Sequence, residues 1–201
     1  MALKPPPPDF ASRTLSTKTV EVTDLFRISG HSSGEPYFGR TASYRFDDRR
    51  RARTKRFGTC YCGFALRTAM AETLLHDEVT VGGTFQLSQA YFDSRYLVRF
   101  QGGTLTLANL TGMPLRVLDG DGAISSITPY LLPQMWSMAV HAHPQNVDGI
   151  YFVSRQLNDR RAVVVFDRAK HIFTGATYAP LSRVPGIGRA ITDLKMTFPF
   201  P

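Results

Sequence analysis

The stretch "FGTCYCGFALRTAMAETLLHD", residues 57 to 77, decides how the chain is read. Its first half, "GTCYCGF", is rich in β-formers and predicts a strand. The second half is small and apolar and predicts a helix over residues 65 to 76. Side chains alternate along a strand, so Cys60 and Cys62 share one face and Tyr61 takes the other, beside Thr59 and Gly63. Those two neighbours are small and leave room beside the ring, which suits either a ligand pocket or a packed core aromatic. At about 100° per residue, Glu72 stands about 60° around the helix from Ala69, at the margin of the apolar face. Taken alone it is a solvated helix residue; placed over a pocket, it is a charge waiting for a ligand.

Outward from this stretch, the pattern is mixed. Four consecutive prolines open an extended N-terminal arm over residues 1 to 20, and the remainder, 21 to 201, reads as one domain. "VEVTDLFRIS" (20–29) predicts a strand, "GHSSGEPYFG" (30–39) a loop and "ASYRFD" (42–47) a short strand. "YLVRF", "GTLTLANL", "GIYFVS" and "AVVVF" predict further strands. Thr128-Pro129 carries a helix-start signal. Leu132, Met135, Trp136, Ala139 and Val140 follow at helical spacing, and Pro133 makes the regular helix start late or bend. "PGIGRAITDLK" predicts a last short helix. Strands dominate and helices are interspersed, so the fold class is α+β in a single domain.

Composition excludes several classes. A chain of 201 residues with 43% hydrophobic and 20% charged residues is built to bury a sizeable core. No run reaches the roughly 18 apolar residues of a membrane span, and "MALKPPPPDF" lacks the apolar region of a secretory signal. The expected location is therefore cytoplasmic, with no membrane partner and with both cysteines as reduced core thiols. His141 and His143 lie two apart with no third ligand in sight, so no metal is expected. The formal charge of +8 concentrates in "RRRARTKR", residues 49 to 56. That run reads as a solvated loop or as a grip for nucleic acid or phosphate. Arg27 and Arg45 are each either exposed strand residues or buried cations awaiting an anion. Ser154 ends a buried strand and reads locally as a turn-initiating serine.

The order of "FRI", "YRFDD", "CYCGFALRTAMAETLL", "QMWSMAVHAHP" and "DGIYFVSR…VVVFDRA" adds more. Over residues 25 to 169 the chain resembles the RES-domain family, named for its Arg, Glu and Ser. These are commonly the toxins of Xre–RES toxin–antitoxin pairs and are similar in fold to ADP-ribosyltransferases. The resemblance implies a split β-sheet core and an enzyme that cleaves the nicotinamide–ribose bond of NAD, as a glycohydrolase or phosphorylase. It further implies that Arg27, Arg45, Tyr61, Glu72 and Ser154 converge on NAD, with Glu72, Ser154 and Tyr61 catalytic. NAD is then a substrate, with inorganic phosphate as a co-substrate, and no resident cofactor is expected. The implied partner is a cognate Xre-type helix-turn-helix antitoxin, with DNA contacted only indirectly through it. Two alternatives stand beside this: a protein mono-ADP-ribosyltransferase, and a non-enzymatic basic protein that binds nucleic acid. Against transfer to a protein, Met70 occupies the position two before Glu72, where transferases often place a group that engages the acceptor. The arginine-rich run departs from the family pattern.

Overall fold

The computed structural model describes residues 3–76 and 78–199, so the first two residues of the expected arm and the last two of the expected domain lie outside it. Among the described residues, ten strands and five α-helices follow one another, with short 3-10 turns between some of them. They are β1 (Thr17–Glu21), β2 (Phe26–Ser29), β3 (Thr59–Gly63), α1 (Leu66–Leu74), β4 (Phe85–Gln86), α2 (Gln89–Asp93), β5 (Tyr96–Gly102), β6 (Thr104–Asn109), α3 (Gly112–Arg116), α4 (Leu131–Ala142), β7 (Gly149–Val153), β8 (Arg161–Phe166), β9 (Phe173–Pro180), α5 (Ile187–Asp193) and β10 (Met196–Thr197). The mixed α+β class expected from the sequence is what forms. Eight strands make one sheet in the order β1-β6-β7-β8-β3-β2-β5-β9, and β4 pairs with β10 beside it. No helix among the described residues is long and apolar enough to cross a membrane.

The sheet is curled. Val20, Cys60, Cys62, Val98, Leu105, Val163 and Val165 come from five different strands and still form one buried cluster. A flat sheet cannot bring these side chains together; a coiled one buries its inner face against itself. The outer face is covered in two parts. Trp136 and Val140 of α4 pack over Ala108, Ile150, Phe152 and Val164 of β6 to β8. Ala69, Met70 and Leu74 of α1, with Phe92 and Ala190, pack over Ile28 and Leu97 of β2 and β5. β8 lies between covered faces, which explains why "AVVVF" reads as a continuous apolar run.

The two parts of the sheet meet at β2 and β3, through the single pair Phe26↔Gly63. Beyond it, Arg27, Ile28 and Ser29 pair only with Val98, Leu97 and Tyr96 of β5. β3 runs on against β8 for its whole length. At the parting, Arg27 Nη1 donates to the Tyr61 carbonyl at 3.0 Å, replacing a ladder bond that the divergence removes.

Four local expectations change. "VEVTDLFRIS" is not one strand: a 3-10 turn at Val22–Asp24 separates β1 from β2. "ASYRFD" is not a strand but an irregular turn, and its carbonyls are taken up by side chains from α4. Gln134 Nε2 donates to Ala42 O and Tyr44 O, both at 3.0 Å, and Ser137 Oγ donates to Phe46 O at 2.6 Å. That is why Gln134 and Ser137 are buried on a face where spacing predicts only apolar residues. Helix α4 starts at Leu131, two residues after Pro129, and accommodates Pro133 in its first turn, where no N–H is needed. The proline-rich segment is packed: Leu3, Phe10 and Leu15 are buried in the α4 cluster, and Trp136 Nε1 donates to Lys4 O at 2.8 Å.

Gly63 is required where α1 crosses β3. A Cβ there would lie 2.7 Å from Ala69 N and 2.9 Å from Thr68 Cβ. Gly63→Ala is expected to cost at least about 2 kcal/mol by overpacking. Gly188→Ala, in α5 with open space around it, is expected to be neutral or stabilising by about 0.5 kcal/mol. Urea unfolding of the two variants checks both.

Candidate active site

Where β2 and β3 part, a cleft of about 230 Å³ opens on the outer face of the sheet, between the two helix-covered halves. Its walls include Arg27 and Ile28 of β2, Thr59 and Tyr61 of β3, Ala71, Glu72 and Thr73 of α1, and Phe152 of β7. Tyr37, Thr41, Tyr44, Arg45, His76, Tyr130, Arg155 and Gln156 complete the lining. Of the five residues carried over from the family, four line this cleft, and Ser154 lies directly behind Glu72.

Glu72 is half-buried on the face of α1 that overlooks the cleft. Ser154, itself 1% exposed, donates its Oγ–H to Glu72 Oε1 at 2.5 Å. The same Oγ accepts from Leu157 N at 3.3 Å, which fixes the hydroxyl's orientation. Burial raises the Glu72 pKa; the Ser154 bond, the Arg45 charge and the Arg155 backbone N–H pull it back without cancelling the rise. Oε1 is thus held by Ser154, on a carboxylate that lines the cleft.

Tyr61 projects from β3 opposite the two cysteines, as alternation requires. Cys60 and Cys62 are free and buried on the inner face, with Sγ atoms 4.0 Å apart. The Tyr61 hydroxyl accepts from Phe46 N at 2.8 Å and donates to Asp47 Oδ1 at 3.3 Å. Burial and the adjoining Asp47 carboxylate hold the phenol well above its ordinary pKa, so it stays protonated. Asp47 is 1% exposed and also accepts from Thr59 Oγ1 at 2.6 Å, Thr41 Oγ1 at 3.0 Å and Tyr44 N at 3.2 Å. This one buried carboxylate shapes the turn that carries Arg45.

The two arginines differ. Arg27 is ion-paired: its Nε lies 2.9 Å from Glu35 Oε2, within ion-pair distance though not aligned as a hydrogen bond, and its Nη1 donates to the Tyr61 carbonyl. Arg45 is 7% exposed. Its Nη1 donates to Ile127 O at 2.8 Å and Ile124 O at 3.3 Å, while its buried Nη2 has no hydrogen-bond partner. Its guanidinium stands 4.6 Å from the centre of the Tyr130 ring. Burial lowers the Arg45 pKa, and the neighbouring Arg155 lowers it further. A buried, partly unsatisfied guanidinium beside a second cation is a site built for an anion.

Arg155, His76, Tyr44 and Tyr130 were not singled out by sequence reasoning. Arg155 is exposed at the cleft and donates through Nη1 to His76 O at 3.2 Å. Its position next to Ser154, at a strand end, was the available signal. Tyr44 leans edge-on against both Tyr61 and His76. The two histidines at the end of α4 serve the core: His141 stacks on Phe57, centroids 4.0 Å apart, and burial takes its pKa down to about 4. His143 Nε2 pairs with Arg13 O at 2.9 Å.

Comparison with known proteins bears on the family and the fold. No curated protein matches the chain. Among solved structures, a chain of the M. tuberculosis MbcT-MbcA toxin–antitoxin complex is similar, with a TM-score of 0.58 at 12% identity. The similarity covers 88% of this chain and 91% of that one, and at such identity it speaks to the fold. The model of the RES domain matches residues 24–185. That span runs from just before β2 to just before α5, most of the chain, and contains Arg27, Arg45, Tyr61, Glu72 and Ser154; the chain belongs to the RES-domain family.

Proposed function

We propose that this chain is an NAD-cleaving enzyme of ADP-ribosyltransferase-like fold, acting as the toxin of a toxin–antitoxin pair. The observation that carries this reading is a single carboxylate, Glu72, oriented by Ser154 in a cleft whose other charged side chains, Arg27, Arg45 and Arg155, are cations. The similar solved structure is a toxin–antitoxin complex, and a cognate antitoxin is the partner expected here.

The chemistry suits one carboxylate. In NAD the nicotinamide nitrogen is cationic. When the bond from that nitrogen to ribose C1′ breaks, the electron pair neutralises the ring, and no general acid is needed. Positive charge moves to the ribose as an oxocarbenium-like transition state, where a glycosidase would use a pair of carboxylates. Glu72 Oε1 is held by Ser154, and the other oxygen engages a ribose hydroxyl and stabilises the growing charge. At 4 Å and an effective dielectric of about 20, a unit pair is worth about 4 kcal/mol before desolvation. Only the part that develops on the way to the transition state accelerates the reaction. Tyr61, kept protonated, packs beside the nicotinamide ribose.

The pyrophosphate sits on the cationic wall. Arg45 offers the unpartnered Nη2, and Arg155, beside the same Tyr130 ring, adds a second cation. Arg27, balanced by Glu35, contributes a smaller share of the attraction and supports the floor through Tyr61. The acceptor is small, phosphate or water. Met70, two residues before Glu72, is fully buried against the β2 side of the sheet and offers nothing to a protein nucleophile. Attack of a phosphate oxygen at C1′ gives ADP-ribose 1″-phosphate, and attack of water gives ADP-ribose with loss of a proton to solvent.

The direct test is release of nicotinamide from NAD by the purified protein, with products identified with and without phosphate. Glu72→Gln is expected to lower turnover at least about 10²-fold. Ser154→Ala removes a bond that favours ionised Glu72, so the acid limb of its pH–rate profile is expected to move to higher pH. Wild-type turnover in Glu72→Gln, or label delivered mainly to protein, refutes the reading.

Stability should respond in the opposite sense. Glu72 has a raised folded-state pKa, so its ionised form is penalised by folding. That penalty is absent below the ordinary value of 4.5 and grows as pH rises through the raised value. Glu72→Gln is therefore expected to melt higher than wild type at pH 7, with the gain gone at pH 4. Thermal melts at the two pH values check the sign.

Binding separates the arginines. Arg45→Ala is expected to weaken NAD binding by about 1.5 to 3 kcal/mol, the usual cost of a charged hydrogen bond, with Arg155→Ala at the lower end. Arg27→Ala is expected to appear first as lost stability, because it strands the Glu35 carboxylate. Calorimetric titration beside urea unfolding distinguishes the two effects.

A further inference from the structure

The run Arg49–Arg56 divides its six cations between two tasks. Two build the loop. Arg50 Nε donates to Asp48 Oδ2 at 2.8 Å, and Asp48 in turn accepts from Phe57 N at 3.0 Å. Arg56 Nε donates to Arg50 O at 2.6 Å, and its Nη1 reaches Arg40 O and Thr41 O, both at 3.0 Å. A 3-10 turn over Arg53–Lys55 completes the shape. The other four, Arg49, Arg51, Arg53 and Lys55, are exposed, and none forms an ion pair among the described residues. A disordered charged loop would not invest two arginines and a buried aspartate in its own backbone. This loop holds four cations outward on a braced frame.

We infer that this loop is a docking surface for the phosphodiester backbone of nucleic acid, contacted by this chain itself and separate from the cleft. Charge complementarity carries the choice of partner. Three of the four presented cations are arginines, whose planar forks match phosphate oxygens. A protein partner would need apolar anchors at the centre of its interface, and the loop offers only Ala52 and Thr54 between its charges. The exposed large apolar side chains of the molecule, such as Tyr37, Val79, Met113 and Val117, all lie outside residues 49–56. A phosphate backbone needs no such anchor, because binding is driven by release of condensed counterions. Through Arg56 and Thr41 the frame abuts the cleft rim, so the bound polyanion lies beside the opening and leaves it uncovered.

The test is fluorescence anisotropy of a labelled 20-base-pair DNA duplex of arbitrary sequence, titrated with the full chain at several salt concentrations. Four phosphate contacts predict a log–log salt slope of about −3.6, a loss of about 10²-fold in affinity between 50 and 200 mM salt. The variant with Arg49, Arg51, Arg53 and Lys55 all changed to Gln is expected to lose most of that slope while its Tm stays within about 2 °C of wild type. A control with Lys18, Arg183, Arg189 and Lys195 changed to Gln has the same net charge and is expected to bind as wild type does. Equal weakening in both variants would reduce the effect to net charge and overturn the inference. So would unchanged binding by the loop variant, or polyglutamate displacing the duplex at equal charge concentration, which would point to an acidic polypeptide instead. None of these outcomes depends on NAD cleavage.

Discussion

The parting of β2 from β3 after one residue pair is the constraint from which the site follows. A continuous sheet would leave no room between its strands, and each backbone group would be satisfied by its neighbour. Opening the sheet creates the cleft and exposes polar backbone that needs new partners. Arg27 supplies one on the floor by capping the Tyr61 carbonyl. Glu35 then balances the charge this brings into the interior. An arginine that reads as a ligand residue is thus also a piece of backbone repair, and the two roles share one side chain.

The irregular turn over residues 41 to 47 follows from the same opening. It has no sheet to pair with, so its carbonyls go to Gln134 and Ser137 and one of its amides to Asp47. Buried carboxylates and guanidiniums are costly unless paired, and here the molecule tolerates a raised pKa on Glu72 and an unsatisfied nitrogen on Arg45. Both defects face the same cavity. On the proposed reading, a bound anion over Arg45 and a cationic ribose against Glu72 would relieve each in turn.

Much of the frame was legible because it obeys simple periods. β3, β7 and β8 show two-residue alternation or continuous apolar runs, and α1 and α4 fall where helical spacing puts them. Tyr61's separation from Cys60 and Cys62 is pure strand geometry. Other features left no periodic trace. β9 spans Phe173–Pro180 at the sheet edge with Gly175 and Pro180 in it, and a half-exposed edge strand carries no alternation to detect. "ASYRFD" alternates like a strand and is a turn, because tertiary hydrogen bonds outweigh local preference. Glu72 was ambiguous for a physical reason: its helix position is marginal, and what sets it apart in the fold is a hydrogen bond from a serine 82 residues away. Family resemblance named both residues, where spacing could not connect them. Arg155 was missed because its one signal, a place beside Ser154, has meaning only once Ser154 is tied to Glu72.

The support of the site extends to the far end of the chain. Helix α4 holds the turn that carries Arg45, so Arg45 is only as fixed as α4. That helix buries Trp136 completely, and the indole is held on one side by Lys4 O and on another by the edge of Phe10, 5.5 Å between centroids. His143, at the helix's end, accepts its position from Arg13 O, and Gln145 just beyond clasps Leu15 through both backbone groups. Proline fixes the backbone dihedral and lowers the entropy lost on docking, which makes "PPPPDF" an inexpensive way to lay a strap across a helix. The segment that composition marks as a separate arm is thereby the outermost link in a chain of contacts. It runs from Lys4 through Trp136 and Gln134 to the turn, and from the turn to the guanidinium that faces the cleft.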